Sequence, residues 1–440
     1  MRTLKDSGLS WFPRIPEDWN INRLKVLFRF GKGLGITKEN LIEEGVPVIS
    51  YGQVHSKDNT GTEHNPSLEK FVSEDYLYTS SDCLVNKGDF IFADTSEDLE
   101  GCGNCAYISE QKKMFAGYHT IILSNQYSND NKYLAYLFKT DIWRSQIRKK
   151  VNCVKVYSVT KSILNGITVV VPPLKEQQLI VSYLDTRCSK IDGAIAQRKA
   201  IIDKLKEYKS AVIIEAVTKG LNSDAEMKDS GIEWIGSVPK HWEVTRLKFV
   251  AYTGSGTTPN SKTNEYYEKG TFNWIQSGDL YNNVFIDCVS KQITEKAIQE
   301  CNLKYYFAPF IVVAMYGASI GNVSISRIDS CTNQACCVVL PKNKNNIKFL
   351  YYVISLAKVK LLVDSIGGTQ PNISQEKIRN INIPLPLIKE QENIADYLDS
   401  QCTKIDEAVA RQEQAIAKLE EYRESLIYHA VTGKIDCRNV

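Results

Sequence analysis

Two copies of a 44-residue segment limit the folds that this 440-residue chain can adopt. The first copy, Lys175–Thr218, reads KEQQLIVSYLDTRCSKIDGAIAQRKAIIDKLKEYKSAVIIEAVT. The second copy, Lys389–Thr432, reads KEQENIADYLDSQCTKIDEAVARQEQAIAKLEEYRESLIYHAVT. The offset is 389 − 175 = 214 with no gap, and 22 of the 44 aligned positions are identical. The fold must therefore contain two equivalent long elements.

Both copies have the periodicity of a long helix, because their apolar residues recur every three or four positions. The first stripe consists of Ile180, Leu184, Cys188, Ile191, Ile195, Ile202, Leu205, Val212 and Ala216. The second consists of Ile394, Leu398, Cys402, Ile405, Val409, Ile416, Leu419, Leu426 and Ala430. Prolines precede each run, and Gly220 and Gly433 follow, as expected at helix ends. At ~1.5 Å per residue, each helix would be roughly 65 Å long.

A helix of this length cannot bury one narrow apolar stripe against itself, so it needs a partner helix. The second copy is the obvious partner. A chain that alternates globular region and helix reaches an antiparallel arrangement with short connections, so we predict an antiparallel coiled coil. The alternative is that each helix lies independently on its own globular domain.

The beginning of the chain is also repeated. Lys5–Lys25 reads KDSGLSWFPRIPEDWNINRLK and Lys228–Lys248 reads KDSGIEWIGSVPKHWEVTRLK, at an offset of 228 − 5 = 223. The chain is therefore a tandem duplication of a globular region followed by a helix. The predicted divisions are a first globular domain at 1–172, a first helical spacer at 173–220, a second globular domain at 221–386, a second helical spacer at 387–433 and a C-terminal tail at 434–440.

The globular regions combine short apolar runs with segments of helical periodicity. The predicted strands are Pro47–Tyr51, Gly88–Ala93, Tyr118–Leu123, Ile167–Val171, Phe272–Gln276, Pro309–Tyr316, Val323–Ser326 and Cys336–Leu340. The predicted helices are Asn131–Lys149 and Ile347–Asp364. The predicted fold class is α+β, a tandem duplication of an α/β-mixed domain and a long helix.

Composition is that of an ordinary soluble globular protein, with 43% hydrophobic and 24% charged residues. The net charge is only +3, so any surface for nucleic acid must be a local patch. The twelve cysteines are irregularly spaced and no export signal is recognisable at Met1–Ser10, so reduced thiols and a cytoplasmic location are expected. The longest uncharged run, Tyr305–Ser326, contains proline and glycine, so no membrane span is expected.

No catalytic motif is recognisable in the sequence. The P-loop pattern G-x-x-x-x-G-K-[S/T] is absent. Gly31–Gly35 reads GKGLG, which lacks the dinucleotide-binding spacing and is interpreted as a loop that lets the backbone approach another segment closely. Val171–Leu174 reads VPPL, without the leading Asp or Asn and the following aromatic residue of an amino-methyltransferase loop. We therefore predict no catalytic residues.

Two clusters contain possible metal ligands. Cys102 and Cys105 form a lone C-x-x-C motif, which Cys83 and His119 would have to complete for zinc. Reduced structural thiols are the preferred interpretation, because no second paired motif is present. The acidic cluster consists of Asp94, Glu97, Asp98 and Glu100. Without an accompanying Lys or His pattern, it favours a solvated loop or a carboxylate that accepts from a cytosine amino group over a nuclease site. No metal site is predicted.

Glycine-rich loops of both globular regions carry aromatic, amide, hydroxyl and basic side chains. Asn and Gln can bind an adenine edge in two places, whereas Lys and Arg bind guanine or phosphate. The candidate DNA-binding residues are Lys32, Tyr51, Gln53, His55, Thr95, Ser96, His119, Lys155 and Tyr157 in the first half, and Thr257, Gln276, Ser277, Tyr316, Asn333, Gln334, Gln370 and Asn372 in the second. Such loops also occur on ordinary surfaces, so composition alone leaves both interpretations open.

Taken together, the motifs resemble those of the DNA-specificity subunit of type I restriction–modification systems. The resemblance is carried by Pro173–Gln177 (PLKEQ), Leu387–Gln391 (LIKEQ), the D-x-x-C-x-K-I-D runs Asp185–Asp192 and Asp399–Asp406, the two KDSG…W…P…W segments, Gly88–Ala93 (GDFIFA) and Gly368–Ser374 (GTQPNIS). It covers nearly the whole chain, and the order of the parts is specific.

The resemblance implies two target-recognition domains separated by two helices that form an antiparallel coiled coil, in a subunit without an active site. It implies that the chain binds double-stranded DNA and recruits two modification subunits, which use S-adenosylmethionine to methylate adenine N6, and restriction subunits, which use ATP and Mg²⁺. No cofactor is expected on this chain. Polar residues shared by both helices are candidate contacts to the modification subunits: Lys190, Asp192, Lys204, Lys404, Asp406 and Lys418.

The two halves differ where the family's recognition domains are compared. The first has Val154–Ser158 (VKVYS) where the second has Thr369–Asn372 (TQPN), so the predicted DNA target is bipartite and asymmetric. Three alternatives remain at this stage. They are a DNA-recognition subunit of another phage-defence or methylation system that lacks the nuclease, a coiled-coil scaffold without DNA contact, and an unassigned nuclease or methyltransferase.

Overall fold

The computed structural model of the protein describes residues 3–127, 129–153, 155–280, 284–317, 319–363 and 372–439. Internal contacts divide the chain into two units. Unit 1 comprises Met1–Arg198 and Glu413–Val440, and unit 2 comprises Lys199–Gln412. Each unit contains one globular region and a part of each long helix.

Unit 1 is a mixed α and β structure. Its strands are β1 (Leu4–Asp6), β2 (Arg14–Pro16), β3 (Asn20–Arg23), β4 (Phe28–Phe30), β5 (Val46–Ile49), β6 (Lys70–Val72), β7 (Leu84–Val85), β8 (Phe90–Ala93), β9 (Thr95–Ser96), β10 (Cys105–Tyr107), β11 (Met114–Ala116), β12 (Thr120–Asn125), β13 (Tyr157–Ser158) and β14 (Thr168–Val171). Its helices are α1 (Leu24–Leu27), α2 (Tyr51–Val54), α3 (Tyr76–Thr79), α4 (Asn131–Lys139), α5 (Asp141–Arg148), α6 (Lys161–Asn165) and α7 (Leu174–Lys219), which continues into unit 2.

Two four-stranded sheets form the centre of unit 1. One has the order β10-β8-β12-β4 and is antiparallel. The other has the order β6-β5-β11-β7, in which β5 and β11 are parallel. Short antiparallel pairs join β1 to β2, β9 to β13 and β3 to β14. The parallel pair is the feature that positions the candidate site.

Unit 2 is also a mixed α and β structure, but its two larger sheets have five and three strands. Its strands are β15 (Met227–Asp229), β16 (Ser237–Pro239), β17 (Glu243–Arg246), β18 (Ala251–Ser255), β19 (Phe272–Ile275), β20 (Phe285–Ile286), β21 (Gln292–Ile293), β22 (Phe310–Ala314), β23 (Val323–Ser326), β24 (Cys331–Thr332), β25 (Cys336–Pro341) and β26 (Asn382–Leu385). Its helices are α8 (Leu247–Val250), α9 (Glu295–Glu300), α10 (Ile347–Leu356), α11 (Lys358–Val363), α12 (Gln375–Arg379) and α13 (Ile388–Val431), which continues into unit 1. The sheet orders are β18-β25-β22-β23-β20 and β21-β19-β24, with β19 and β24 parallel.

The two predicted long helices are confirmed as α7 and α13, and they run antiparallel within each unit. In unit 1, Asp192 of α7 pairs with Arg423 of α13 at 3.2 Å. In unit 2, Lys209 of α7 pairs with Asp406 of α13 at 2.7 Å. These are two copies of one pair, since 192 + 214 = 406 and 209 + 214 = 423. Parallel helices in register would instead bring Asp192 to Asp406, so the predicted antiparallel direction is confirmed.

The apolar stripe serves both the helix pair and the globular regions. In unit 1, Leu184 is fully buried in a cluster that contains Ala430 of α13 and Phe138 of α4. In unit 2, Leu398 is fully buried together with Ala216 of α7 and Phe349 of α10. The helices therefore pair and also pack on the globular regions, which combines the two arrangements that the sequence left open.

Among the described residues, no helix is long and apolar enough to cross a membrane.

The predicted short elements are present with two differences. The eight predicted strands overlap with β5, β8, β12, β14, β19, β22, β23 and β25, with ends that differ by up to two residues, and Tyr51 belongs to α2. The predicted helix Asn131–Lys149 is broken at Thr140, whose ψ of 137° is extended and whose hydroxyl donates to the Leu137 carbonyl at 2.7 Å. Such local side-chain bonds compete with the helix. The predicted helix Ile347–Asp364 is interrupted at Ala357, and Asp364 lies outside the described residues.

Candidate nucleic-acid interface

The candidate residues of unit 1 gather at the carboxyl ends of the parallel strands β5 and β11. These strands pair Val48 with Phe115 and Ile49 with Ala116. Beyond their ends, the Gly117 amide donates to the Ile49 carbonyl at 2.7 Å and the Tyr51 amide donates to the Tyr118 carbonyl at 3.3 Å. The carboxyl ends of two parallel strands meet at the same edge, so the residues that follow β5 and β11 lie together.

An aromatic cluster forms this edge. The Tyr51 ring lies edge-on to the rings of Tyr118, His119 and His55, with centroid distances of 5.7, 5.4 and 6.3 Å. His119 has a φ of 54°, and its side chain is 59% exposed. Its Nδ1 atom lies 3.2 Å from Oδ1 of Asp94. Of these predicted residues, Tyr51 and His119 thus present ring surface at the edge.

Two other predicted residues are already used by the fold. One ring nitrogen of His55 lies 2.8 Å from the Thr95 carbonyl, and the other lies 3.1 Å from the Asn104 amide nitrogen. The Gln53 amide oxygen accepts from the Ser50 backbone at 3.1 Å, which caps α2. Both side chains therefore shape the edge by holding neighbouring backbone in place.

The remaining candidates of unit 1 adjoin the same edge through short backbone contacts. β9 pairs with β13, which places Ser96 opposite Tyr157, and Lys155 is exposed just before β13. Lys32 is exposed next to Gly33, whose amide donates to the Thr120 carbonyl at 3.2 Å. The first-half candidates, scattered over more than a hundred residues of sequence, are thus brought to one region of unit 1.

The glycine-rich loop at Gly31–Gly35 has the predicted close backbone approach. A Cβ atom on Gly33 would lie 2.0 Å from the Gly117 carbonyl oxygen and 2.2 Å from Oγ1 of Thr120. The equivalent position in unit 2 is Gly256, because 33 + 223 = 256. A Cβ atom there would lie 1.7 Å from the Thr332 carbonyl oxygen. In both units, glycine lets this loop lie against the edge.

Unit 2 builds the same edge from β19 and β24. These strands pair Trp274 with Cys331 and Ile275 with Thr332, and the Asn333 amide then donates to the Ile275 carbonyl at 2.9 Å. The predicted residues Gln276 and Ser277 follow β19, and Asn333 and Gln334 follow β24. Thr257 joins them, because its amide donates to the Thr332 carbonyl at 3.1 Å. Five of the eight second-half candidates therefore share this edge.

The side chains at the unit 2 edge differ in how exposed they are and in whether their polar atoms already have hydrogen-bond partners. Gln334 is exposed. The Asn333 side-chain oxygen accepts from the Ala335 amide at 3.1 Å. The Gln276 amide nitrogen is buried and has no hydrogen-bond partner among the described residues. A buried donor without a partner is costly, so a small rearrangement that brings the Gln276 amide to a ligand would remove that cost.

Tyr316 and Asn372 lie next to a second contact that both units share. In unit 2 the Met315 amide donates to Ala335 at 2.7 Å, and Ile373 donates to Met315 at 2.8 Å. In unit 1 the corresponding bonds run from Asp94 to His119 at 3.0 Å and from Val159 to Asp94 at 2.7 Å. Tyr316 and Asn372 thus match the region of Thr95 and Ser158. Gln370 lies outside the described residues.

Two arginines near the unit 1 edge were not predicted. A cavity of about 560 Å³ is lined by Tyr51, His55, Ser96, Arg144 and Arg148, together with acidic residues. Arg148 donates to the Glu100 carbonyl at 2.8 Å and to Asp141 at 2.9 Å. The i, i+4 spacing of the two arginines on α5 was a visible signal, but only the fold shows that α5 borders this edge.

The three cysteines among the possible metal ligands are buried in the core. Cys83 packs in a different core cluster from Cys102 and Cys105. Burial raises the pKa of Cys102 to about 11 and that of Cys105 to about 12, so both thiols are protonated near neutral pH. In the acidic cluster, Asp98 accepts from the Gly101 amide at 2.6 Å. Within the described ranges, no group of three or more His, Cys, Asp or Glu is placed to hold a metal ion.

One family of known proteins matches both halves of the chain. The family model described as “Type I restriction modification DNA specificity domain” matches residues 16–207 and again residues 239–420. The repeat that organises the sequence is thus the repeat of this domain.

The chain is also similar to individual proteins that are named type I restriction enzyme specificity subunits. The chain is 31% identical over 179 residues to the type I restriction enzyme MjaIX specificity subunit of Methanocaldococcus jannaschii, an alignment that spans 40% of each chain. It is 25% identical over 440 residues to the MjaVIII specificity subunit of the same organism, covering 97% of this chain and 95% of that one. The chain is 19% identical over 460 residues to the EcoKI specificity subunit of Escherichia coli (strain K12), covering 96% of this chain and 90% of that one.

Solved structures share the fold. A chain solved in work on complex assembly and conformational transition of the type I R-M system superposes with a TM-score of 0.70 at 17% identity, covering 96% of this chain and 99% of that chain. The HsdS subunit from Thermoanaerobacter tengcongensis has a TM-score of 0.50 at 19% identity, with coverages of 96% and 98%. At these identities, the likeness concerns the fold.

Proposed function

The chain belongs to the family of type I restriction–modification DNA specificity domains and carries two copies of that domain, and from this premise we propose that it reads a bipartite, asymmetric target in double-stranded DNA. It acts as the specificity subunit without an active site of its own. It brings modification subunits, which methylate adenine N6 with S-adenosylmethionine, and ATP-dependent restriction subunits to that target.

The observation that carries this proposal is the polar edge that each unit builds at the ends of a parallel strand pair. The two edges have the same backbone plan but different side chains. Unit 1 has the rings of Tyr51 and His119 at its edge, whereas unit 2 has the exposed amide of Gln334 beside those of Gln276 and Asn333. Amide side chains can form two hydrogen bonds with the edge of an adenine, whereas aromatic and imidazole rings favour other contacts with bases. The two half-sites are therefore expected to differ in sequence.

Methylation mapping tests the proposal. The chain is co-expressed with its modification subunit in a host that lacks adenine methylation, and methylated adenines are located genome-wide. We expect one motif with two different half-sites separated by unread bases. The purified chain is expected to bind DNA with an affinity that falls steeply with salt, because phosphate contacts dominate non-specific binding.

Three results would contradict the proposal. A continuous or palindromic motif would exclude two independent recognition domains. Methylation or cleavage by the chain alone, with S-adenosylmethionine or Mg²⁺, would support an enzyme. Absence of DNA binding even at low salt would support a scaffold. If methylation is mapped but no restriction accompanies it, the system is one that lacks a working nuclease.

We further propose that α7 and α13 dock two modification subunits. Six polar residues were predicted for this role, and all six are exposed. Asp192 and Asp406 are used within the helix pair. The others form no ion pair within the described part of the chain and recur at equivalent positions in the two copies, as two equivalent docking sites require: Lys190, Lys204, Lys404 and Lys418.

Reversing the charge of Lys190 and Lys404 together is expected to reduce co-purification of the modification subunit at least tenfold, because both docking sites lose an attraction. Pull-down with a tagged modification subunit measures this. The control carries Lys38→Glu and Lys262→Glu, which reverse two exposed lysines on the globular regions. Equal recovery with both double variants would place the docking surface elsewhere.

A further inference from the structure

Asp185 of α7 receives two hydrogen bonds from the globular region of unit 1. The hydroxyl of Tyr136 donates to Oδ1 at 2.7 Å, and Nζ of Lys132 donates to Oδ2 at 2.9 Å. About two helical turns earlier on α7, the amide oxygen of Gln177 accepts from the Asp130 backbone amide at the start of α4, at 2.8 Å. We call Lys132, Tyr136, Gln177 and Asp185 the tether of unit 1.

Unit 2 has the same contacts at equivalent positions. Asp399 of α13 accepts from the hydroxyl of Tyr352 at 2.8 Å and from Nζ of Lys348. The amide oxygen of Gln391 accepts from the Asn346 backbone at the start of α10, at 2.9 Å. The tether of unit 2 is therefore Lys348, Tyr352, Gln391 and Asp399.

Comparison of α4 with α10 separates the tether from ordinary packing residues. The aligned segments NKYLAYLFK and IKFLYYVIS share three of nine positions, namely the Lys, the Leu and the second Tyr. The Leu is a core residue. The two polar residues that the helices share are the two that reach the aspartate. The globular regions have diverged elsewhere along these helices, so the shared polar residues mark a role common to both units.

The tether supplies direction, which apolar packing does not. Leu184 and Leu398 hold the globular regions to the helices through burial, and burial favours contact without fixing an angle. Hydrogen bonds require a narrow geometry, and those to a carboxylate are among the strongest. Gln177 and Gln391 are each only 1% exposed, so their amides cannot exchange these partners for water.

Resting on the proposed function, we propose that the tethers are positioning residues that fix the angle of each recognition domain on its own helix, and so fix the number of unread base pairs between the half-sites. They lie on the helix-facing side of α4 and α10 and are distinct from the polar edges, so they set spacing and not base identity. Loosening one tether lets its domain tilt, and neighbouring gap lengths then become acceptable.

The experiment uses the full chain with its modification subunit and a set of DNA targets. The targets keep both half-sites and carry the native gap, a gap one base pair shorter or a gap one base pair longer. For Asp399→Ala, we expect methylation at the altered gaps, relative to the native gap, to rise at least tenfold over the wild-type ratio. The half-site sequences should be unchanged. The control is Asp396→Ala, an exposed carboxylate on the same helix one turn away.

The outcomes separate the inference from the proposed function. An Asp399→Ala chain that keeps the wild-type preference for one gap, or that loses base selectivity at a half-site, overturns the inference. If Asp399→Ala does not fold, Tyr352→Phe removes only the donating hydroxyl, and the same ratios decide. A wild-type chain that directs no split motif would instead contradict the proposed function, and the wild-type reaction shows this independently of any variant.

Discussion

Exchanging residues 247–381 for the matching segment of another family member is expected to replace one half of the DNA target and leave the other half unchanged. The segment contains β18 to β25 and the whole polar edge of unit 2. Strands β17 and β26 stay together from the parent chain, with Glu243 opposite Leu385 and Arg246 opposite Asn382. Each mismatched base pair costs about 1–3 kcal/mol, so several mismatches in one half-site should abolish methylation of the original target.

Sequencing of methylated adenines measures the outcome, and unit 1 offers a matched control. The exchange of residues 24–167 cuts at the same junction, because Leu24 donates to the Ile167 carbonyl at 2.9 Å and Leu247 donates to Ile381 at 2.9 Å. It should change the other half-site only. If the family member that supplies the segment has Lys and Tyr at the positions equivalent to 348 and 352, the tether of unit 2 stays intact. If either exchange altered both halves, or neither, the domains would not read DNA independently.

The long helices and eight of the described strands were predictable because their signals are local or repeated. A stripe with a spacing of three or four residues defines a helix wherever it occurs, and the constant offset of 214 identifies its partner. Strands such as β8 and β22 are short apolar runs bounded by turn residues. The break at Thr140 was missed, because threonine is tolerated within helices and only its local hydrogen bond shows the break.

The composition of the candidate edge was predictable, but its assembly was not. Nothing in the sequence states that β5 pairs in parallel with β11, whose paired residues lie 115 − 48 = 67 positions later, because strand pairing depends on the whole fold. The side chains of His55 and Gln53 suggested base contacts from their chemistry. In the structure, both ring nitrogens of His55 lie within hydrogen-bonding distance of Thr95 and Asn104, and the side-chain oxygen of Gln53 accepts from the Ser50 backbone amide. Availability of a polar atom is a property of its neighbours, which sequence alone does not supply.

The contacts of the two tethers were also not predictable from the sequence alone. The aspartates at 185 and 399 were visible as part of a repeated motif, and repetition in the helices favoured a docking role for shared polar residues. The partners Lys132 and Tyr136 lie in a region where the offset is 348 − 132 = 216, not 214, so the repeat there is hidden by divergence. The contact becomes visible only when α4 is seen against α7.

The Gly256→Ala variant is expected to destabilise unit 2 and to weaken recognition of its half-site at least tenfold. The added Cβ atom would lie 1.7 Å from the Thr332 carbonyl oxygen and 2.2 Å from its carbonyl carbon. Backbone of β24 must then move, and Asn333 and Gln334 move with it. Overpacking of this kind costs about 1–3 kcal/mol. Thermal unfolding and DNA-binding titrations measure the two effects.

Gly278→Ala is the matched control, because a Cβ atom there meets nothing within 4 Å although Gly278 lies in the turn just after β19. It should behave like the wild type in both measurements. Unit 1 offers the same contrast. A Cβ atom on Gly33 would clash with Gly117 and Thr120, whereas a Cβ atom on Gly35 would meet nothing within 4 Å. Gly33→Ala should weaken the other half-site. If Gly256→Ala bound both half-sites as well as Gly278→Ala does, the close approach of the glycine loop would not support the recognition edge, and the candidate interface would have to be placed elsewhere in unit 2.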